Sequence, residues 1–155
     1  RKVAAPPRNA STPGRSQAPL SEKTLAEMEA IAKKIEVVPI PGPNAAICAL
    51  QVAGLPTDHF FFSGFLPEKP GKRKQQIEFL AQFPHTFILY LSRWKARKQV
   101  EEMVALLGER QVCMGRELTK IHEELWRGSM NELAKYLKTK ELKGEITLVV
   151  GGSDV

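Results

Sequence analysis

A charged block in the last third of the chain holds the side chains best suited to acid–base chemistry. Between Gly115 and Gly128 the sequence GRELTKIHEELWRG gathers carboxylates, amines, guanidinium groups and one imidazole around a few apolar residues. Histidine is the side chain whose unperturbed pKa lies nearest to neutrality, which suits it to carry a proton. The carboxylates and the lysine add further candidates for a general acid or base. The candidate catalytic residues are Glu117, Lys120, His122 and Glu123.

Two local structures are compatible with this block. Leu118, Ile121 and Leu125 fall at the spacing of one helix face. The apolar run before the block and the glycine that closes it equally fit a strand end that continues into an exposed charged connection, where functional sites tend to lie. A solvated loop with a few ion pairs, or a network that docks a domain or a second subunit, would also account for the charges. Such a network would use Arg116, Glu117, Glu123 and Arg127.

A proline-rich turn is the second candidate site. The sequence PIPGPNAA, from Pro39 to Ala46, places three prolines around Gly42. Prolines stiffen the backbone, and a glycine permits conformations or close approaches that a side chain would block. If a helix begins at Asn44, the free amides of its first turn point towards a polar ligand. A rigid turn between a strand and a helix, with no ligand, explains the same residues more simply.

Short apolar runs alternate with amphipathic segments along most of the chain. This alternation predicts an α/β fold in which a mixed sheet of about five strands is covered by helices. It does not determine the order of the strands. Ser129 and Glu132 have the spacing of a capping box at the start of the last helix. The predicted strands span residues 37–40, 60–66, 86–91, 112–116 and 145–150, and the predicted helices span 21–34, 44–52, 72–83, 95–107 and 129–138.

The composition is typical of a globular chain with one core. Of the 155 residues, 43% are hydrophobic and 26% are charged, and no apolar run approaches the roughly 18 residues that span a bilayer. Cys48 and Cys113 lie in separate apolar segments without metal-ligand spacing, which predicts reduced core thiols and no metal site. Residues 1–20 form a basic leader, rich in proline, alanine and serine, that is predicted to be disordered and also resembles an organelle transit segment.

The net charge of +6 directs attention to polyanionic partners. Beyond the leader, cationic residues cluster at the third predicted helix and around Trp94. Such clusters hold nucleic acid through its phosphates, although lysines that keep a surface soluble give the same pattern. Trp94 suits stacking on an unpaired base, but a core tryptophan is the more common outcome. The candidate phosphate-binding residues are Arg73, Lys74, Arg93, Lys95 and Arg97, with Arg116 and Arg127 of the charged block.

Several motifs, in order along the chain, resemble those of the small-subunit ribosomal RNA methyltransferase I family of the tetrapyrrole methylase superfamily. The segment VVPIPGPNA at 37–45 is similar to the family's VVPIPGPSA, and GLPTD at 54–58 and GFLP at 64–67 match its signatures. RELTK, HEE and WRG at 116–128 and KGEITLVV at 143–150 complete the series. The charged block separates this branch from relatives that act on small tetrapyrroles.

The resemblance, which covers about residues 37–151, implies a fold, a reaction and partners. It implies that residues 37–155 are the second domain of a two-domain methylase and that the helix at 21–36 is a remnant of the first-domain boundary. It implies methyl transfer from S-adenosylmethionine, bound between domains, to a cytidine ribose 2′-hydroxyl of small-subunit ribosomal RNA. The implied enzyme is a homodimer in the cytoplasm or, alternatively, in a plastid or mitochondrion. The implied cofactor-binding residues are Pro41, Gly42, Pro43, Asn44, Ala45 and Gly144.

The chain departs from the family at the turn after the third predicted strand. Where the family has YESPHR, this sequence has YLSRWK, so Leu91 replaces a glutamate, Arg93 a proline and Trp94 a histidine. If that glutamate helps to hold the cofactor or the substrate, this chain has lost it. The alternative is a non-catalytic remnant that binds RNA or dimerises without the first domain. The charged block disfavours a small-molecule methylase of the tetrapyrrole branch.

Overall fold

The elements of the fold are defined by a computed structural model that describes residues 20–153. The predicted basic leader lies outside this part of the chain, except for its last residue. In chain order the described elements are α1 (Glu22–Ala32), α2 (Ala45–Val52), β1 (Phe60–Phe65), α3 (Pro70–Ala81), β2 (Thr86–Ser92), α4 (Ala96–Leu107), β3 (Gln111–Arg116), β4 (Glu124–Ser129), α5 (Met130–Thr139) and β5 (Glu145–Val150).

One mixed sheet of five strands forms the centre of the fold, as predicted. Its strand order is β1-β2-β5-β3-β4. Among the described strands, β1 and β2 are the one parallel pair, and β5 lies antiparallel between β2 and β3. Leu148 of β5 pairs with Leu89 of β2 on one side and with Met114 of β3 on the other. The last strand therefore occupies the middle of the sheet, where residues 146–150 are all buried.

Alternate residues of the strands face two different cores. Phe87 and Leu89 of β2 belong to the larger core beneath α3, α4 and α5, while Ile88 between them belongs to the smaller core on the other face. On that second face, Ala46 and Ala49 let α2 lie close against the sheet. Within residues 20–153, α2 is the one helix that packs there. Aromatic residues of β1 therefore stay exposed beside it.

The predicted strand at 37–40 is wrong. This segment forms no strand, and Ile40 is 91% exposed. The physical reason is that Pro39 and Pro41 have no amide hydrogen to donate to a neighbouring strand. The real fifth strand is β4, which lies in the charged block and pairs antiparallel with β3. The block is therefore a hairpin with a loop at 117–123, and neither a helix nor a single strand end.

The other predicted elements are confirmed, with boundaries that agree within about two residues. Ser21 caps α1 by accepting a hydrogen bond from the Thr24 amide at 3.2 Å, although no residue of this helix is buried. The capping box of α5 is present, because Ser129 and Glu132 each accept a hydrogen bond from the other's amide, at 3.2 and 2.8 Å.

The remaining sequence predictions concern cysteines and membrane spans. Cys113 is buried in the smaller core, Cys48 is half-buried, and both are free thiols. No helix in residues 20–153 is long and apolar enough to cross a bilayer.

Candidate functional site

A cleft of about 590 Å³ lies where β2 ends and β5 begins. These two ends coincide because the strands are antiparallel, with Ser92 paired to Glu145. The first residue of α2 and the last residue of β1 also reach the cleft, so four elements meet there. The lining residues are Ala45, Phe65, Tyr90, Leu91, Ser92, Arg93, Trp94, Gly144, Glu145, Ile146 and Thr147.

The predicted cofactor-binding residues divide at the start of α2. Ala45 and Gly144 both line the cleft, whereas Pro41, Gly42, Pro43 and Asn44 precede it in an exposed segment. The Asn44 side chain accepts hydrogen bonds from the amides of Ala46 and Ile47, at 2.9 and 3.3 Å. Asn44 thus caps the helix as expected and already satisfies two of the amides that an anion would use.

The hairpin loop between β3 and β4 is cross-linked by hydrogen bonds to the turn before β5; we call residues 116–124 and 143–145 the bonded side, and its residues Gly144 and Glu145 line the cleft. The Glu117 amide donates to the Glu145 carbonyl at 3.0 Å, and the Glu145 amide donates to the Glu117 carboxylate at 2.8 Å. The Lys120 ammonium contacts the carboxylates of both glutamates at 3.1 Å. Gly144 has φ +83°, and a Cβ there would lie 2.2 Å from Glu117 Oε1. A larger residue than glycine therefore cannot occupy this turn unchanged.

These contacts determine the protonation states of two predicted catalytic residues. The hydrogen bond from the Glu145 amide, followed by the one from Lys120, lowers the pKa of Glu117. The hydrogen bonds to Glu117 and then to Glu145 raise the pKa of Lys120. Glu117 therefore remains a carboxylate and Lys120 an ammonium at neutral pH. Both side chains hold the turn at Gly144 in place, and the lowered pKa makes the Glu117 carboxylate a weaker base.

The other two predicted catalytic residues lie in the same hairpin loop. The Glu123 carboxylate accepts a hydrogen bond from the Thr119 amide at 2.6 Å, which closes the loop. His122 is exposed and makes no hydrogen bond with any residue in the described part of the chain. Of the four, His122 keeps the side chain most available to a substrate.

A second hydrogen-bond network joins the bonded side to α5 and the residue that follows it. Arg116 Nε donates to Glu124 at 2.8 Å, and its Nη1 donates to the Lys143 carbonyl at 3.2 Å. The Tyr136 hydroxyl and the Lys140 ammonium also donate to Glu124. Burial by itself would raise the pKa of Glu124, but the hydrogen bonds from Tyr136, Arg116 and Lys140 lower it overall. Arg116 is thus occupied within the fold, and the expectation that it contacts RNA phosphate is revised.

The other side of the cleft runs from Ser92, the half-buried last residue of β2, through the exposed residues 93–95 before α4; we call residues 92–95 the open side. Trp94 is 78% exposed, so the common expectation of a core tryptophan does not hold. The Arg93 guanidinium carbon lies 4.1 Å from the centroid of the indole, at cation–π distance. Lys95 pairs with Glu68 at 2.5 Å.

The structure corrects the prediction that Arg73 binds RNA phosphate. Arg73 is 7% exposed, and its guanidinium contacts Glu102 at 2.5 and 3.0 Å. It also donates to the carbonyls of Pro67 and Glu68, at 3.1 and 2.7 Å. Arg73 therefore joins α3 to α4 and to the preceding loop. Its neighbour Lys74 is exposed, as the prediction requires.

Two further arginines of the predicted RNA surface also serve the fold. Arg97 donates to the carbonyls of Leu137 and Lys140, both at 3.1 Å, and so caps the end of α5. Arg127 donates to the carbonyl of Val52 and ties β4 to the end of α2. Of the seven residues predicted to bind phosphate, Arg93 and Lys95 belong to the open side, and both are exposed.

Glu145 is the partner of the charged block, and its role is not predicted from the sequence. Glu145 binds Glu117 and Lys120, and with Phe65, Tyr90 and Thr147 it helps to form the cleft. The available signal is the glycine before β5, since a lone glycine at a strand start marks a special turn. The signal is insufficient because the position of β5 between β2 and β3 is not encoded locally.

Comparison with known families now assigns the chain to a class. The family Tetrapyrrole (Corrin/Porphyrin) Methylases matches residues 19–134. The chain therefore belongs to the tetrapyrrole methylase family, and the predicted fold class is confirmed. The methyltransferase CobJ is similar over 85% of this chain and 59% of its own, with TM-score 0.61 and 19% identity. Uroporphyrin-III C-methyltransferase from Thermus thermophilus, complexed with S-adenosyl homocysteine, is similar over 83% of this chain and 58% of its own, with TM-score 0.56 and 14% identity.

Curated relatives confirm the finer resemblance. Proteins named ribosomal RNA small subunit methyltransferase I are 40% identical over 126 residues in Halalkalibacterium halodurans and 44% identical over 128 residues in Mesorhizobium japonicum. Each match covers 81% of this chain and 44% of the relative. The protein of the same name in Synechocystis sp. is 42% identical over 146 residues, which is 94% of this chain and 51% of the relative. The chain spans about half the length of the curated relatives it matches.

Proposed function

We propose that this chain is the second-domain part of an S-adenosylmethionine-dependent methyltransferase that acts on small-subunit ribosomal RNA, at a cytidine ribose 2′-hydroxyl. The observation that carries the proposal is the meeting of Ala45 and Gly144 in one cleft. These two residues belong to different motifs of the resemblance and are far apart in sequence, yet both line the same 590 Å³ space. The names of the curated relatives support ribosomal RNA as the substrate.

The residues of the cleft fit the proposed cofactor. A volume of about 590 Å³ lies within the range of ligand pockets, about 300–1,000 Å³. Phe65, Tyr90 and Ile146 supply apolar and aromatic walls for a nucleoside, while Ala45 and Gly144 let a ligand approach the backbone closely. When bound, the cofactor supplies an electrophilic methyl group on a sulfonium sulfur.

The side chains of the bonded side position the reactants. Methyl transfer to a hydroxyl is an in-line displacement, so fixing the oxygen against the methyl carbon provides much of the catalysis. Glu117 and Lys120 hold the turn at Gly144 in place. His122 is the candidate that accepts the hydroxyl proton, because its side chain is exposed in the same loop.

The proposal extends to partners and compartment. Lys74, Arg93 and Lys95 contact RNA phosphates from the exposed surface. A homodimer forms through the face of the sheet that α2 leaves partly uncovered, where Phe60 and Phe62 are 42% and 47% exposed. The compartment is one that holds small-subunit ribosomal RNA: the cytoplasm or, alternatively, a plastid or mitochondrion.

The experiment is methyl transfer from labelled S-adenosylmethionine to small-subunit ribosomal RNA by the purified chain, with the label mapped to its nucleotide. We expect label on a cytidine ribose, and none on RNA already methylated at that 2′-oxygen. His122→Ala should lower the rate about a hundred-fold, while cofactor binding persists. Label on a base, or an unchanged rate in His122→Ala, would contradict the corresponding part of the proposal.

A second function is favoured by Leu91, which lines the cleft where the related family has a glutamate. In that case the chain binds RNA or dimerises without catalysis. A folded chain that binds RNA but neither binds S-adenosylhomocysteine nor transfers methyl groups would select this function.

A further inference from the structure

Arg93 and Trp94 of the open side form a flat exposed surface that we call the Arg93–Trp94 shelf. The proposed function gives Arg93 a phosphate contact and leaves Trp94 without a role. The Arg93 guanidinium carbon lies 4.1 Å from the indole centroid, so the arginine covers one face of the ring. Since 78% of Trp94 is exposed, the other face is open to solvent. Tryptophan is highly buried on average, so a surface position of this kind requires an explanation.

Both residues of the shelf line the cleft, and two further aromatic residues, Phe65 and Tyr90, line it as well. Trp94 and Phe65 both line the cleft, and Phe65 is 66% exposed with its ring centroid 5.6 Å from that of Tyr90. The single carboxylate among the lining residues belongs to Glu145, which is paired with Lys120. The entrance thus combines exposed aromatic faces, an available guanidinium and a neutralised acid.

This combination matches the chemistry of single-stranded nucleic acid. Every nucleobase has a π-face that stacks on an aromatic side chain, and the backbone on either side of the base carries phosphates that a guanidinium binds. The double-stranded form would not fit, because its bases are already stacked on one another. A small neutral ligand would leave Arg93 without a counter-charge.

We propose that the Arg93–Trp94 shelf receives one unpaired nucleobase of the RNA substrate, stacked on the indole face that Arg93 leaves open. Arg93 contacts a phosphate beside that base. The stack brings the neighbouring ribose to the mouth of the cleft and so makes Trp94 a positioning residue. The inference rests on the proposed function for the identity of the substrate as RNA.

The test uses the fluorescence of Trp94. Trp126→Phe removes the other tryptophan, whose ring packs on Tyr136, and leaves Trp94 as the single indole. A short single-stranded oligoribonucleotide should quench its emission, while inorganic polyphosphate of equal charge should not. If Trp126→Phe fails to fold, the quenching difference between the unchanged protein and Trp94→Phe gives the same information. Quenching that is absent, or equal with polyphosphate, would overturn the proposal.

Affinity measurements test the two members of the shelf separately. Trp94→Ala should weaken oligoribonucleotide binding about ten-fold, with the slope of affinity against salt concentration unchanged, and Trp94→Phe should recover part of the loss. Arg93→Ala should reduce the salt slope by about one. Full affinity in Trp94→Ala would overturn the proposal.

Binding of S-adenosylhomocysteine distinguishes this proposal from the proposed function. Because Trp94 also lines the cleft, the two losses of affinity are compared. Trp94→Ala should weaken oligoribonucleotide binding more than S-adenosylhomocysteine binding, and the reverse order would show that the shelf holds the adenine of the cofactor instead. If the unchanged protein binds S-adenosylhomocysteine but Trp94→Ala keeps full RNA affinity, the proposal for the shelf is wrong and the proposed methyltransferase function is supported. If RNA quenches Trp94 but no S-adenosylhomocysteine binds, the shelf stands and the methyltransferase fails.

Discussion

The bonded side and the open side of the cleft differ in how far their polar groups are already satisfied. On the bonded side, Glu117, Lys120 and Glu145 bind one another and the local backbone. On the open side, Arg93 and Trp94 bind each other and otherwise face solvent. The charged groups of the bonded side therefore stabilise a local structure, whereas Arg93 and Trp94 of the open side remain accessible to a binding partner.

This difference changes how the charged block is understood. Glu117 and Lys120 have the residue types of a catalytic site, yet their contacts hold the turn at Gly144. The exposed residues at the cleft, Arg93 and Trp94, are two of the three that depart from the related family, and the third, Leu91, is buried. We infer that the bonded side supplies a fixed wall and that the open side determines what is bound against it.

The largest expected effect is on the bonded side, at Gly144. Gly144→Ala puts a Cβ 2.2 Å from Glu117 Oε1 at a residue with φ +83°. We expect the free energy of unfolding to fall by about 3 kcal/mol, together with weaker binding of S-adenosylhomocysteine. The measurement is urea unfolding. Gly71→Ala is the matched control, because Gly71 lies in α3 with no atom near its Cβ position and should gain about 0.5 kcal/mol.

A smaller effect is expected beneath the open side, at Arg73. Its guanidinium holds Glu102 and the carbonyls of Pro67 and Glu68, and Glu68 pairs with Lys95. Arg73→Ala removes four part-buried hydrogen bonds, two of them to a carboxylate, so the free energy of unfolding should fall by about 2 kcal/mol. Lys74→Ala is the control and should change it by less than about 0.5 kcal/mol. If Arg73→Ala kept full stability and lost RNA affinity, the original prediction of a phosphate contact would be restored.

The support of the bonded side predicts a dependence on pH. Glu124→Gln removes charge-assisted hydrogen bonds from Tyr136, Arg116 and Lys140 and should lower the free energy of unfolding by about 1.5 kcal/mol at pH 7. The pKa of Glu124 is lowered in the folded state. Its stabilising contribution is therefore present above the unfolded pKa and lost as the pH falls through the folded pKa.

The measurement is the difference in free energy of unfolding between the unchanged protein and Glu124→Gln at several pH values. It should narrow as the pH falls from about 5 through the lowered folded-state pKa of Glu124. A difference that stays constant over this range would show that the network does not depend on the ionised carboxylate.

The smallest expected effect on stability is at Trp94. Because Trp94 is 78% exposed, Trp94→Ala should change the free energy of unfolding by less than about 0.5 kcal/mol. Thermal or urea unfolding of the variant provides the measurement. If Trp94→Ala lowered the free energy of unfolding as much as Gly144→Ala does, the open side would contribute to stability as the bonded side does, and the contrast drawn between them would be wrong.

The sequence predicts much of the fold because most elements carry local signals. The capping box at Ser129 and Glu132 and the asparagine cap at Asn44 place two helix starts correctly. The segment 37–40 misleads, since its apolar residues suit a strand while its prolines cannot pair. The strand β4 is hidden because its charged residues break the usual alternation, and its pairing with β3 is set by the hairpin as a whole.

The site is harder to predict because it depends on strand order. Ala45 and Gly144 meet only because β5 enters the middle of the sheet, a feature of the whole topology. The roles of Arg73 and Arg97 depend on which backbone carbonyls lie within reach of each guanidinium. Residue type alone therefore shows that a side chain is charged, but it does not show whether that side chain already makes hydrogen bonds within the fold.

The most direct test of the central claim is calorimetric titration of the folded chain with S-adenosylhomocysteine, alongside Gly144→Ala and Gly71→Ala. We expect micromolar binding to the unchanged chain and to Gly71→Ala, with a marked loss in Gly144→Ala. No heat of binding from a chain that circular dichroism shows to be folded would contradict the claim that this cleft holds the cofactor. Equal binding by Gly144→Ala would place the cofactor elsewhere.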